Sequence, residues 1–158
     1  MKTGLRISRL QPEELERIRP LLVDLHLEEQ PHYDDHRQFD RSEINSFLGR
    51  IQSRFRGENV VFAAYAEKNQ LIGFCWVVLF DPGTGLEGEV AEVYVDNDYR
   101  GQGIGEDLVQ QAVKLFQERG VTLGYVWTRE ENQAATRIYQ RAGFEHGRQL
   151  VLTWYPTT

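Results

Sequence analysis

Residues 89–108, EVAEVYVDNDYRGQGIGEDL, decide how this chain is read. Glu89 to Val95 is a run of β-branched and aromatic residues and predicts a strand. Asp96 to Tyr99 is polar and rich in turn formers. Arg100-Gly-Gln-Gly-Ile-Gly105 then opens a helix whose apolar residues Ile104, Leu108, Ala112, Leu115 and Phe116 fall on one face. A strand that runs through a glycine turn into a helix N-terminus builds a seat for an anion, because the first-turn N–H groups point outward and the helix dipole favours negative charge there. Glycines at 101, 103 and 105 let a ligand approach the backbone. Arg100 adds a fixed charge with a forked donor. Phosphate or pyrophosphate is the expected guest.

Two common phosphate loops are excluded. A dinucleotide fold requires G-x-G-x-x-G, and the third glycine position holds Glu106. A P-loop requires Gly-Lys before Ser or Thr, and the chain contains no Gly-Lys pair. The remaining pattern, R-G-x-G-x-G after a V-x-V strand end, resembles the coenzyme A pyrophosphate loop of the GNAT family of N-acetyltransferases. Downstream, Asn132-Gln-Ala-Ala-Thr-Arg-Ile-Tyr139-Gln-Arg-Ala-Gly-Phe144 resembles the N-x-x-A-x-x-x-Y-x-x-x-G-F segment that follows the fifth strand in that family. Seven residues turn a helix by about 700°, so Asn132 and Tyr139 share a face roughly 10 Å apart. Asn132 can cap the helix and present an amide to an extended ligand, and Tyr139 puts a phenol deeper on the same line.

The resemblance implies a fold and a reaction. The fold is a mixed α/β sheet, splayed between the fourth and fifth strands and flanked by about four helices, with residues 1–158 forming one N-acetyltransferase domain. Acetyl-CoA lies in the splay, and a primary amine attacks its thioester directly. The backbone of Val93, Tyr94 and Val95 pairs with the pantetheine arm as an added strand would, and one of its N–H groups holds the carbonyl oxygen. The N–H groups of Gly101, Gln102, Gly103, Ile104, Gly105 and Glu106, with Arg100, hold the pyrophosphate, and Asn132 contacts the carrier. Tyr139 occupies the family's proton-donor position, opposite a thiolate with a conjugate pKa of about 8.5. An amine with a pKa of about 10.4 must lose a proton before attack, which calls for a carboxylate on the fourth strand. Glu89 and Glu92 are the candidates. Simple alternation puts them on opposite faces, a bulge would change the count, and the sequence does not choose between them. Glu106 departs from the small or basic residue common at its position, and its side chain is expected to point to solvent.

Composition sets the class. A chain of 158 residues, 41% hydrophobic and 27% charged, fits one globular domain. Its longest apolar run, Phe74 to Phe80, is too short to span a bilayer. The first ten residues lack the apolar core of a signal peptide, and the lone Cys75 cannot pair internally, so a reducing cytoplasm is expected. Cys75 reads as core rather than nucleophile. A net charge of −6 argues against nucleic acid or anionic membrane as partners and favours amine-bearing ones. The stretch from Asp24 to Glu43 carries seven acids against two arginines. In the family this region walls the acceptor pocket, so Tyr33, Asp34 and Asp35 are the candidates for attracting a cationic amine. His32 and His36 lack further ligands, and no metal is expected. Family members dimerise in many cases, and no motif here selects an oligomeric state.

The remaining elements follow from pattern. Leu5 to Leu10 is a first strand. A helix opens at Gln11-Pro12 and is interrupted at Pro20. Asp40-Arg-Ser-Glu43 is a capping box for a second helix running to about Arg56. Asn59 to Ala66 and Leu71 to Phe80 form a hairpin, Thr122 to Thr128 is a strand, and Asn132 to Ala142 is a helix. Phe144 to Gly147 and Gln149 to Tyr155 are expected to close the chain as a second hairpin. Two rival functions share these features: a non-catalytic acyl-CoA sensor on the same fold, and a nucleotide-binding module using the same anion seat.

Overall fold

The computed structural model describes residues 4–32, 38–48, 51, 57–83 and 85–156. Five strands, β1 (Arg6–Leu10), β2 (Glu58–Tyr65), β3 (Leu71–Phe80), β4 (Glu87–Val95) and β5 (Leu123–Val126), form one sheet in sequential order. The first three pairings are antiparallel. The last is parallel, because β4 and β5 are joined by a crossover through a helix. Among the described residues four α-helices flank the sheet: α1 (Arg19–Glu29), α2 (Arg41–Phe47), α3 (Ile104–Arg119) and α4 (Gln133–Arg141). This is the mixed α/β architecture expected.

Local chemistry accounts for the helix boundaries. Pro12 to Ile18 forms a tight 3₁₀ segment, and α1 begins at Arg19 with Pro20 in its first turn, where a missing N–H breaks no helical bond. The interruption expected at Pro20 is therefore the joint between two helical segments. Asp40 and Glu43 make the predicted capping box, each side chain accepting the other's backbone N–H at 2.9 Å. Gly120, at φ 68°, ends α3 in the left-handed conformation.

Alternation along the central strands divides the core into two layers. Phe74, Trp76, Val78 and Tyr94 face α1 with Leu21, Leu22 and Leu25. Cys75, Val77, Leu79 and Val90 face α3 with Ile104, Leu108, Ala112 and Phe116. Where β4 and β5 run together, Gly88 pairs with Gly124 and the Phe116 ring lies across both. A Cβ at Gly88 would stand 2.4 Å from that ring.

One expectation fails. No strand forms between Phe144 and Pro156, and Leu150, Leu152 and Trp154 are each more than 80% exposed. The segment has the composition of a strand but no partner, and strand preference is realised only through packing and pairing. The expected extent of the second helix beyond Leu48 falls largely outside the described residues.

Candidate active site

β4 and β5 pair only from Glu87 to Val90 against Leu123 to Val126. Beyond that point β4 continues to Val95 with β3 on one side and, among the described residues, no strand on the other. Its free edge lines a gap. The backbone phase of that edge can be derived. Asp96 N–H donates to the Ile72 carbonyl of β3 at 2.8 Å, so Asp96 and Tyr94 turn their backbones inward. Val95 and Val93 therefore turn theirs toward the gap. The Val95 carbonyl is already taken by Arg100 Nε at 2.8 Å. Val93 is left with its N–H facing the gap.

A bulge answers what alternation left open. Trp76 pairs with Glu92 and Val77 with Val90, so Ala91 is the extra residue. It shifts the count by one and puts Glu89, opposite Val78, and Glu92, opposite Trp76, on the same α1-facing side. Both line an open recess of about 470 Å³ with Val78, Phe80, Glu87, Ala91 and Tyr125. Glu92 is an exposed residue of β4, but its carboxyl faces the recess, and desolvation there, then the charges of Glu29 and Glu89, push it up to about 7. Burial also raises Glu89. Tyr125 is raised by burial and by the neighbouring Glu89 and Glu87 charges.

Tyr139 comes from the opposite side. It sits in the α3-facing layer, with its ring 5.9 Å from that of Phe144. Burial first, then Cys75 and the charge of Glu92, hold its phenol well above the ordinary value. It therefore stays protonated across the neutral range. Cys75 itself is fully buried, with its thiol pushed up to about 12, which suits a core side chain and not a nucleophile.

The glycine loop has the open geometry an anion needs. Gly101 and Gly103 adopt φ 73° and 84°, and a Cβ at either would meet nothing within 4 Å. Among the described residues no protein acceptor takes the N–H groups of Gly101, Gln102, Gly103, Ile104, Gly105 or Glu106; the first bond of the helix runs from Asp107 N–H to Gly103. The residues present thus fit a diphosphate. Gly105 serves packing instead, since its Cβ position lies 3.2 Å from Ile138 of α4. The Glu106 carboxylate is turned onto Arg141 at 3.3 Å, away from the loop. Asn132 caps α4 by accepting from Ala135 N–H at 3.2 Å.

Arg100 has partners on the α1 side. Its guanidinium holds both oxygens of Glu28 at 2.7 and 2.9 Å and stacks 5.3 Å from the Tyr94 ring. The Tyr94 hydroxyl donates to the same carboxylate at 3.1 Å. Tyr94 is thus a buried strut of the α1 side. Tyr33, Asp34, Asp35 and His36 fall outside the described residues. Pattern reading counted Glu28 and Glu29 in the acidic stretch without assigning them partners, and did not single out Arg129. Two glutamates at the C-terminal end of a helix oppose its dipole, and that conflict was the available signal.

The model of the acetyltransferase (GNAT) family matches residues 15–144. The chain belongs to that family. It is 34% identical over 96 residues to a mycothiol acetyltransferase of Thermobifida fusca, a match covering 58% of this chain and 30% of that protein. It is 37% identical over 62 residues to N-alpha-acetyltransferase 30 of Schizosaccharomyces pombe, covering 39% of this chain and 41% of that one. The chain therefore spans well under half the length of these curated relatives. Among solved structures, an aminoglycoside acetyltransferase from a soil metagenome superposes with TM-score 0.67 at 18% identity, covering 98% of this chain and 97% of that chain. A ribosomal-protein-alanine N-acetyltransferase from Brucella melitensis gives TM-score 0.67 at 18% identity, covering 96% and 99%. At such identities the likeness is one of fold. Members of this family are acetyltransferases, and acetyl-CoA is the family's cosubstrate. No helix among the described residues is long and apolar enough to cross a membrane.

Proposed function

We propose that the protein transfers the acetyl group of acetyl-CoA to a primary amine by direct attack, with Glu92 as general base and Tyr139 as general acid. The observation that carries this reading is the row of unclaimed loop N–H groups from residue 101 to 106, continuous with a free β4 edge that ends beside a titratable carboxylate. The loop N–H groups hold the diphosphate, and the Val93 N–H donates to the thioester carbonyl oxygen. Asn132, at the N-terminus of α4, offers its amide along the carrier.

Glu92 is favoured over Glu89 because it adjoins Val93 and because its carboxyl titrates near neutral pH, as a base working there should. Glu92 accepts a proton from the bound ammonium as nitrogen attacks the carbonyl carbon. The carbon–sulfur bond breaks, the Tyr139 phenol gives its proton to the departing sulfur, and the second proton shed by nitrogen as the amide forms returns to the phenolate. Glu89 stays as a counter-charge for the acceptor, together with Asp34 and Asp35 of the acidic stretch. That arrangement favours a cationic amine. Acetyl-CoA cleavage against an amine panel, run beside calorimetric binding of coenzyme A and of ADP, tests the reading. Amine-dependent thiol release supports it. Coenzyme A binding with no turnover would make the protein a sensor, and ADP binding as tightly as coenzyme A would make it a nucleotide module.

A further inference from the structure

The last two residues of α1 reach both sides of the gap. Glu28 pairs with Arg100, which follows β4, at 2.7 Å. Glu29 pairs with Arg129, which follows β5, at 3.3 Å, and this second pair is the more enclosed, its side chains only 31% and 22% exposed. One helix end thus holds the two strands where they have parted, on the side where Glu89 and Glu92 face.

We propose that Glu29 and Arg129 are positioning residues that tie the acceptor-side helix to the β5 lip of the gap and act on the reaction through Glu92. Their role presupposes that Glu92 is the base. The groups facing Glu92 are Glu29 from α1, Glu89 from its own strand and Tyr139 from α4. His26, one turn before Glu29, is held below the ordinary imidazole value by desolvation, against the opposing charge of Glu29. Tyr139 is protonated. Glu29, paired with Arg129 at the end of α1, is therefore the charge from outside β4 that adds to desolvation in raising the Glu92 carboxyl. Breaking the pair from its two ends leaves opposite fields at Glu92. Glu29→Gln removes a negative charge, whereas Arg129→Gln uncovers one. A merely structural clasp would respond alike to both.

The test is a ¹³C NMR titration of the glutamate carboxyls in the wild type, Glu29→Gln and Arg129→Gln, with the Glu92 signal assigned by its loss in Glu92→Gln. No acceptor is needed. The Glu92 midpoint is expected to fall in Glu29→Gln and to rise in Arg129→Gln, while amide spectra remain those of the folded protein. Midpoints that move together, or not at all, overturn the proposal. If either single variant fails to fold, the charge-exchanged Glu29→Arg/Arg129→Glu protein restores the tie but puts a positive charge nearest Glu92, and its midpoint must fall below the wild-type value. Failure of the base assignment has a separate signature: Glu92→Gln would retain full amine-dependent turnover whatever the titrations show.

Discussion

Glu92→Gln separates a working base from a solvated strand residue, and the pH profile carries the decision. With the wild-type carboxyl titrating near 7, the ionised fraction is about a tenth at pH 6 and about nine-tenths at pH 8. If Glu92 takes its proton from a bound ammonium, kcat/KM rises about tenfold per pH unit below 7 and levels above it. Glutamine accepts no proton, so the variant must capture the rare free amine. For an amine of pKa about 10.4, that fraction is on the order of 10⁻³ at pH 7 and grows tenfold per unit. The variant should therefore fall roughly a thousandfold at pH 7, show no plateau, and regain ground steadily toward pH 9. Release of coenzyme A thiol, followed from pH 5.5 to 9.5, reads both curves. A variant that keeps the plateau with the same midpoint, or loses less than about threefold at pH 7, refutes the assignment.

The same shift fixes the sign of a stability effect. The folded protein holds the Glu92 proton to higher pH than the unfolded chain, so the unfolded state binds fewer protons between about 4.5 and 7. The folded state loses stability as pH rises through that window, with the loss complete above it. Glu92→Gln should remove this slope from thermal melts.

Tyr139→Phe keeps the ring against Phe144 and removes only the donor; kcat should fall about a hundredfold across the neutral range, with coenzyme A binding by calorimetry unchanged. Gly103→Ala forces a side chain into φ 84° at a cost of about 1 kcal/mol. It also puts a methyl beside the open N–H groups, so coenzyme A affinity should fall about tenfold or more by calorimetry. Gly88→Ala drives a Cβ to within 2.4 Å of Phe116 and should destabilise the fold by about 1–3 kcal/mol in urea titrations, with partial recovery when Phe116→Leu is added. Asp34→Asn with Asp35→Asn should raise KM for a cationic amine and leave that for acetyl-CoA alone.

The parts of the site that were legible in the sequence are those in which a residue type performs its role through its own backbone. Gly101 and Gly103 adopt positive φ because the turn into α3 demands it, and the N–H groups that follow are open for the same reason. Asn132 caps α4 as its position before the apolar stripe foretold. Tertiary partners were not legible in this way. Arg100, read from its place beside the loop, has its guanidinium paired with Glu28, 72 residues away in sequence, a partner that no local pattern announces. The strand-like tail after Gly143 failed for the complementary reason, since its composition predicts pairing and supplies no edge to pair with.

The side on which the two acids lie depends on one residue that no composition marks. Without the bulge, regular alternation through Ala91 would send Glu89 and Glu92 to opposite faces, one into the α3 layer and one toward α1. With it, both carboxylates gather in one recess, and each raises the cost of the other's charge, which helps to bring Glu92 into the neutral range. The same irregularity falls one residue after β5 stops pairing with β4. A local insertion thus coincides with the opening of the gap, the exposure of the Val93 N–H and the gathering of the acids. It follows that straightening the strand with all its residues kept would send Glu89 or Glu92 to the wrong face, whereas deleting Ala91 would keep Val90 opposite Val77 and Glu92 opposite Trp76, so the bulge is an element of the candidate site and not a defect of the sheet.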